Sequence, residues 1–251
     1  MLGGLRVAVK WYFRGLFLPS VLVPMFLLML LFYGLLYGYS LGLGDSGERF
    51  RVVYLVVVLA SVLLNPLFLA SGVAHVARTR DMTVFEVSML GCWVCVAVAR
   101  LAALLIYLAP YMLFQVAALW LFVRGVGAVG LEVGLLLGLS LLFYGGIAVV
   151  LSLGGSRVVA VVGSSMLTFL LPTSVLILVG SLTMYRVSSL DVFTSAVLYL
   201  FNAPLSYVAS YLYGFRMALS WTQGALLLVL VDVLVFAMYV YMFSRKQELK
   251  I

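Results

Sequence analysis

The chain has 251 residues, of which 66% are hydrophobic and only 9% charged, with a net charge of +7 and a mean hydropathy of +1.27. Soluble domains are about half apolar and cover their surface with charge, so this composition excludes a water-soluble globular protein and indicates a polytopic membrane protein. Continuous apolar runs of about 20 residues, in place of alternating segments of ~10, exclude a β-barrel and define an all-α bundle.

Arg6, Lys10 and Arg14 recur at every fourth residue and share one helical face, with Leu5, Val9, Tyr12, Phe13 and Leu16 over much of the rest. This pattern predicts an amphipathic helix over 2–17 lying in the headgroup plane, its cations toward anionic lipid. A compact apolar core and a small-residue cleavage site, the marks of a signal peptide, are missing from it. Pro19 and Pro24 open the first span, expected over 19–41, and Gly34, Gly38 and Gly42 place a small residue at every fourth position of its end. Such spacing lets another backbone approach closely, either inside the chain's own bundle, the simpler reading, or in a dimer seam.

The polar turn GDSGERFR leads to a second span over 52–76 with Asn65-Pro66 at its middle, where proline implies a break that neighbours must satisfy. His75, the single histidine, reads as a polar tip at the interface. The oily pattern then stops. HVARTRDMTVFEVSMLG sets Arg78, Arg80, Asp81 and Glu86 around Thr83 and Phe85 before the apolar pattern resumes.

A third span is expected over 94–123. Cys92 and Cys95 at its start have metal or redox spacing, but one C-x-x-C supplies only two ligands, so small-residue packing is the stronger reading. The fourth span, 131–153, repeats the four-residue glycine spacing in Gly130, Gly134 and Gly138. The fifth, 158–183, brings Ser164, Ser165, Thr168 and Pro172 to one face at helical periodicity. Between 192 and 214 the sequence is apolar enough to cross, yet Asn202 and Pro204 cut it into two pieces, each too short to cross alone. The sixth span, 224–243, contains Asp232. An ionisable group inside a span is costly and is a functional candidate unless it is protonated, or paired with Arg100 or a backbone donor. Tyr185, Tyr199, Tyr207, Tyr211 and Tyr213 form an interfacial belt or, alternatively, a surface for stacking on a sugar.

Basic residues decide the orientation, because loops near span ends carry excess Lys and Arg on the cytoplasmic side. With six spans both termini share a side, and 10 of the 15 basic residues lie with them: Arg6, Lys10, Arg14, Arg78, Arg80, Arg100, Arg157, Arg245, Lys246 and Lys250. The other five, Arg49, Arg51, Arg124, Arg186 and Arg216, lie opposite. A seventh span would move the basic tail outside and weaken the bias. The expected fold is therefore one transmembrane domain, 1–251, with six spans and an outer re-entrant helical hairpin over 192–214.

Six spans, an interfacial first helix and a charged cytoplasmic stretch after the second span together resemble the membrane subunits of ABC exporters of the second type, the ABC-2 permeases. In that family the second span ends in a charged run, then typically Gly-Thr-x-Glu, an aliphatic pair and a proline. Here Arg80 and Asp81 match the run, Thr83 the threonine, and Glu86, Val87 and Leu90 the remainder. Met82 stands where glycine is usual, one extra residue separates Thr83 from Glu86, and Gly91 with Cys92 replaces the proline.

The resemblance implies that 78–90 is a coupling helix docking in a groove of a separate ATP-hydrolysing subunit, through Arg78, Arg80, Asp81, Thr83, Phe85, Glu86 and Leu90. It implies a homodimer or heterodimer of permeases in the cytoplasmic membrane, with a substrate path between the second and fifth spans, where the chain has Asn65, Ser164, Ser165 and Thr168. Those hydroxyls equally suit bonds to their own helix backbone. No G-x-x-x-x-G-K-[ST] loop occurs, so ATP and Mg are expected on the partner, with no cofactor, metal or nucleic acid bound by this chain. A stand-alone carrier or channel is disfavoured by the scarcity of internal charge pairs and of repeat symmetry. An intramembrane enzyme is disfavoured because no Ser/His, paired-Asp or H-E-x-x-H arrangement is present.

Overall fold

A computed structural model describes residues 46–66, 68, 69, 87, 90–122, 129–154 and 157–248, together with 7, 9, 10, 23, 26, 27, 29–31, 33–35 and 38. Among the described residues the continuous helices are, in order, α1 (Ser46–Leu59), continued by a π-helical turn (Ala60–Leu64), α2 (Trp93–Phe122), α3 (Val129–Gly154), α4 (Arg157–Met184), α5 (Val192–Tyr213) and α6 (Trp221–Glu248). Among the described residues there is no strand, only an isolated bridge between Ser189 and Arg216. The five helices from α2 to α6 are each long and apolar enough to cross a membrane by length and composition, as a membrane-embedded all-α protein requires.

The expected third, fourth and fifth spans fall within two residues of α2, α3 and α4, while the sixth extends outward at both ends. Where they are described, residues of the expected first span are helical, and Met29 and Tyr33 enter the core. Of the expected interfacial helix, Val7, Val9 and Lys10 are described and helical, and its other residues lie outside the described ones.

Lipid tails are as apolar as leucine, so close packing and interhelical hydrogen bonds, more than hydrophobic transfer, hold such helices together. Glycines on α3 make that packing possible. A Cβ on Gly134 would stand 3.1 Å from the Val116 Cα on α2, and one on Gly138 would stand 2.6 Å from the Met112 methyl. Gly145 faces Leu108 and Leu69, and Gly146 faces Val235 and Phe236 of α6. The centre of the bundle is α3, with 72% of its apolar window buried against 22% for α4 and for α6. Gly34 and Gly38 behave differently: a Cβ on either would meet nothing within 4 Å among the described residues. The four-residue spacing thus packs α3 against α2, while at Gly34 and Gly38 the described residues show no such contact.

The most informative element is α5. Asn202 has φ −162° and ψ 73°, outside the helical region, and the helix turns there. Three local features explain why. Pro204 has no N–H for the preceding turn. The Asn202 side chain accepts the Leu205 N–H at 3.3 Å, which makes Asn202 the N-cap of a new half-helix. Ser206 Oγ donates to the carbonyls of Asn202 at 2.8 Å and Leu198 at 3.1 Å, and the Tyr144 hydroxyl donates to the Phe201 carbonyl, so the broken end keeps its partners.

Residues 198 and 206 would lie about 12 Å apart along a straight helix. Their hydrogen bond therefore requires a reversal. The ends agree: Leu190 N–H donates to Arg216 O and Arg216 N–H to Ser188 O, both at 2.9 Å, and the Ala218 N–H reaches the buried Ser195 Oγ at 3.0 Å. Gly214, at φ 72° in the left-handed region, closes the second half.

Candidate functional site

The expected path residue Asn65 follows the π turn, and its backbone N–H donates to the Ala60 carbonyl in the five-residue pattern of that turn. Its side-chain oxygen accepts the Tyr111 hydroxyl at 2.7 Å and the Gln115 amide at 3.5 Å. Gln115 in turn accepts the Tyr33 hydroxyl at 3.0 Å. Tyr111 and Gln115 share a face of α2 at a spacing of four, so one helix offers both groups to Asn65. Phe68 stacks on Tyr111 and on Tyr107, with centroids 4.1 and 4.7 Å apart, and seals the cluster below. All four polar members are buried.

This is a neutral, hydrogen-bonded cluster joining the helical residue Tyr33, the residue after the π turn and α2. Its polar groups are two amides and two phenols. The sequence reading found Asn65 but missed Tyr33, Tyr111 and Gln115. The available signal was Tyr111 and Gln115 one turn apart in an otherwise apolar span.

The other path residues lie on α4, which packs against the π turn. Ser164 and Thr168 are buried and Ser165 is half-buried. Ser164 Oγ donates to the Val161 carbonyl at 3.0 Å, and Thr168 Oγ1 to the carbonyls of Ser164 and Ser165 at 2.9 and 3.1 Å. Their hydroxyls are satisfied by their own helix. The structure brings them to the neighbourhood of the second span without a hydrogen bond to Asn65.

Of the expected partner-binding residues, Arg78, Arg80, Asp81, Thr83, Phe85 and Glu86 lie outside the described residues, as does His75. Leu90 is described, together with Val87. Both are helical, half-buried and packed against the chain's own core. Gly91, at φ 75°, donates its N–H to the Val87 carbonyl at 2.7 Å and ends that helix, directly before α2.

Asp232 stands on the buried stripe of α6 with Leu228, Tyr239 and Phe243. Neither carboxylate oxygen has a hydrogen-bond partner among the described residues. Among the described residues Asp232 is therefore hydrogen-bonded neither to Arg100 nor to a backbone donor. The Arg100 guanidinium lies 5.2 Å from the centroid of the Phe243 ring, which is about 16 Å along α6 from Asp232. Arg100 itself is buried within α2 and is not a loop residue.

The expected tyrosine belt divides. Tyr185 is exposed and Tyr199 is buried against Gly224, while Tyr207 and Tyr211 gather beside Glu132 and Tyr213 lies against Tyr54. The Tyr207 hydroxyl donates to Glu132, Tyr207 and Tyr211 hydroxyls are 3.3 Å apart, Phe50 stacks on Tyr211, and Tyr54 meets Tyr213 edge-on. These rings pack on one another and tie α5 to α1 and α3. Cys92 and Cys95 also depart from the packing expectation: their sulfurs are joined in a disulfide. No group of three or more His, Cys, Asp or Glu side chains suited to a metal occurs among the described residues.

No family model matches the chain, and no curated protein or solved structure proved similar to it.

Proposed function

We propose that the chain is the membrane-spanning permease subunit of an ATP-driven exporter of the ABC-2 type, resident in the cytoplasmic membrane. Its six crossings are 19–41, 52–76, α2, α3, α4 and α6, with both termini in the cytoplasm. The observation that carries this reading is the reversal of α5 at Asn202, whose two ends are held together by the bonds between 188–190 and 216. In this reading the folded-back α5 serves as a re-entrant hairpin in the outer leaflet in place of a seventh crossing. That agrees with the excess of basic residues on the side of the termini.

In this reading 78–90 is the coupling helix. Charges keep it in water and Phe85 anchors it in the ATP-binding subunit, where ATP and Mg reside. Gly91 and α2 follow at once, so movement of the docked segment passes straight into the third span. Gly34 and Gly38, without an intrachain contact among the described residues, support a seam with a second permease subunit, identical or different. Substrate passes between the second span and α4 of the paired subunits, past Asn65, Ser164, Ser165 and Thr168. The chain performs no chemistry of its own and converts ATP hydrolysis in its partner into relative movement of its helices.

The test is reconstitution. The purified chain should retain a soluble ATPase subunit whose hydrolysis it stimulates, and Phe85→Ala should weaken that association by about 1–3 kcal/mol, the range of an interface anchor. Equal retention of the ATPase by the Phe85→Ala and Glu86→Ala chains would set the reading aside.

A further inference from the structure

The Cys92–Cys95 disulfide lies on the first turn of α2, immediately after the segment read as the coupling helix. Cys92 occupies the N-cap position: its carbonyl accepts the Val96 N–H at 3.3 Å, and its Sγ accepts the Cys95 N–H at 3.0 Å. That is the bond a capping Ser or Asp oxygen makes with the third residue of a helix. The first N–H groups of a helix have no internal acceptor, and the helix dipole favours negative charge there. The Cys92 sulfur thus faces the open N–H end of a helix, the kind of position at which cysteines are reactive. Both cysteines are half-buried, and Gly91 beside them is exposed, with nothing within 4 Å of a Cβ built on it among the described residues. Among the described residues nothing stands in the way of an incoming sulfur at Gly91.

We propose that Cys92 and Cys95 form a redox-active pair that exchanges with soluble dithiols at the cytoplasmic face. Disulfides in a reducing compartment are transient ones, made and broken in use. The cytoplasmic placement rests on the six-span topology; the exchange chemistry does not. On reduction, a thiolate of the dithiol attacks Cys92 Sγ. The Cys92–Cys95 bond breaks, and its electron pair leaves on Cys95, which takes a proton from solvent. The second thiol of the donor then loses its proton and attacks the donor sulfur of the mixed disulfide. Cys92 leaves as the thiolate held by the Cys95 N–H, and the donor departs as a disulfide. Two electrons have passed from the dithiol to the pair, which opens the ring at the joint between the coupling segment and α2. Oxidation runs the same steps backward.

The experiment uses the full chain in detergent, exposed to reduced or oxidised dithiothreitol without denaturant, quenched in acid and counted with a mass-tagged maleimide. Both cysteines should become labelled in millimolar reduced reagent, and the label should be lost again in the oxidised reagent. In single variants at pH 7, Cys92 in the Cys95→Ser chain should react with a chromogenic aromatic disulfide about tenfold faster than Cys95 in the Cys92→Ser chain. Resistance to reduction until the chain is denatured would overturn the proposal, as would equal rates in the two variants. Sealed vesicles separate the two ideas. Labelling of the reduced pair by an impermeant maleimide from the cytoplasmic face supports the placement. Exchange in detergent with labelling from the outer face alone would overturn the topology and the cytoplasmic role together.

Discussion

Asn65 accepts two of the hydrogen bonds that join the π-helical segment to α2, and its environment sets how much it matters. Inter-helix hydrogen bonds in membranes contribute about 0.6 kcal/mol on average and roughly 1.7 at most, because an unfolded chain in lipid also finds partners. Tyr111→Phe removes the 2.7 Å donor but leaves the longer bond from Gln115, so a loss near that average is expected. Asn65→Leu strips both donors of their acceptor and should approach the upper figure. Denaturation in mixed micelles measures both, and equal losses would contradict this ordering. Outside the spans, Asp191 caps α5 by accepting the Thr194 N–H at 3.0 Å, and hydrogen bonds from Thr194 hold its carboxyl below the ordinary aspartate range. A carboxyl held low contributes stability above its unfolded pKa, and that contribution fades as pH falls through the folded value. The Thr194 amide resonance should therefore titrate with a midpoint below that of an unperturbed aspartate. Asp191→Asn, an equally good cap, should abolish the titration.

Between elements, the α2/α3 contact tests whether glycine spacing sets the approach of two helices. Gly134 faces the backbone of Val116, which cannot move without separating the helices. Gly138 faces the far end of a flexible methionine. Gly134→Ala should cost about 1–3 kcal/mol through overpacking, whereas Gly138→Ala should be near neutral, because Met112 swings aside and alanine is the better helix former. Thermal unfolding in detergent distinguishes them, and a larger loss at Gly138 would mean that the seam is set elsewhere. The same reasoning explains α5. Its apolar composition suits a crossing, yet Asn202 as a cap, Pro204 without an N–H and Ser206 bridging two carbonyls reverse it.

For the molecule as a whole, orientation follows from charge. Arg100 turns out to lie buried in α2, so in the proposed six-span topology nine basic residues, the ten less Arg100, remain with the termini against five on the other side. The bias survives this correction. With Cys92 and Cys95 replaced by serine, a single cysteine at Ser46 or Ser189 should react with an impermeant thiol reagent in intact cells, and one at Gln247 should not. Labelling at Gln247 would restore a seventh crossing and remove the basis for the proposed coupling at 78–90.

The membrane class, the helix boundaries of α2, α3 and α4, and the break at Asn202 were legible in the sequence. Apolar length, proline and capping residues act through the local backbone and leave a local signature. Asn65 was legible as an oddity in its span, but its partners were not. Tyr33, Tyr111 and Gln115 come from spans whose rotation about their own axes is set only when the helices pack. The same applies to the glycines: one four-residue spacing, in α3, is filled by Val116 and Met112, and another, at Gly34 and Gly38, meets nothing among the described residues. Nor did spacing alone tell packed thiols from the bonded sulfurs of Cys92 and Cys95, or whether Asp232 would find a partner. Periodicity records which residues share a face, and only tertiary packing decides what that face meets.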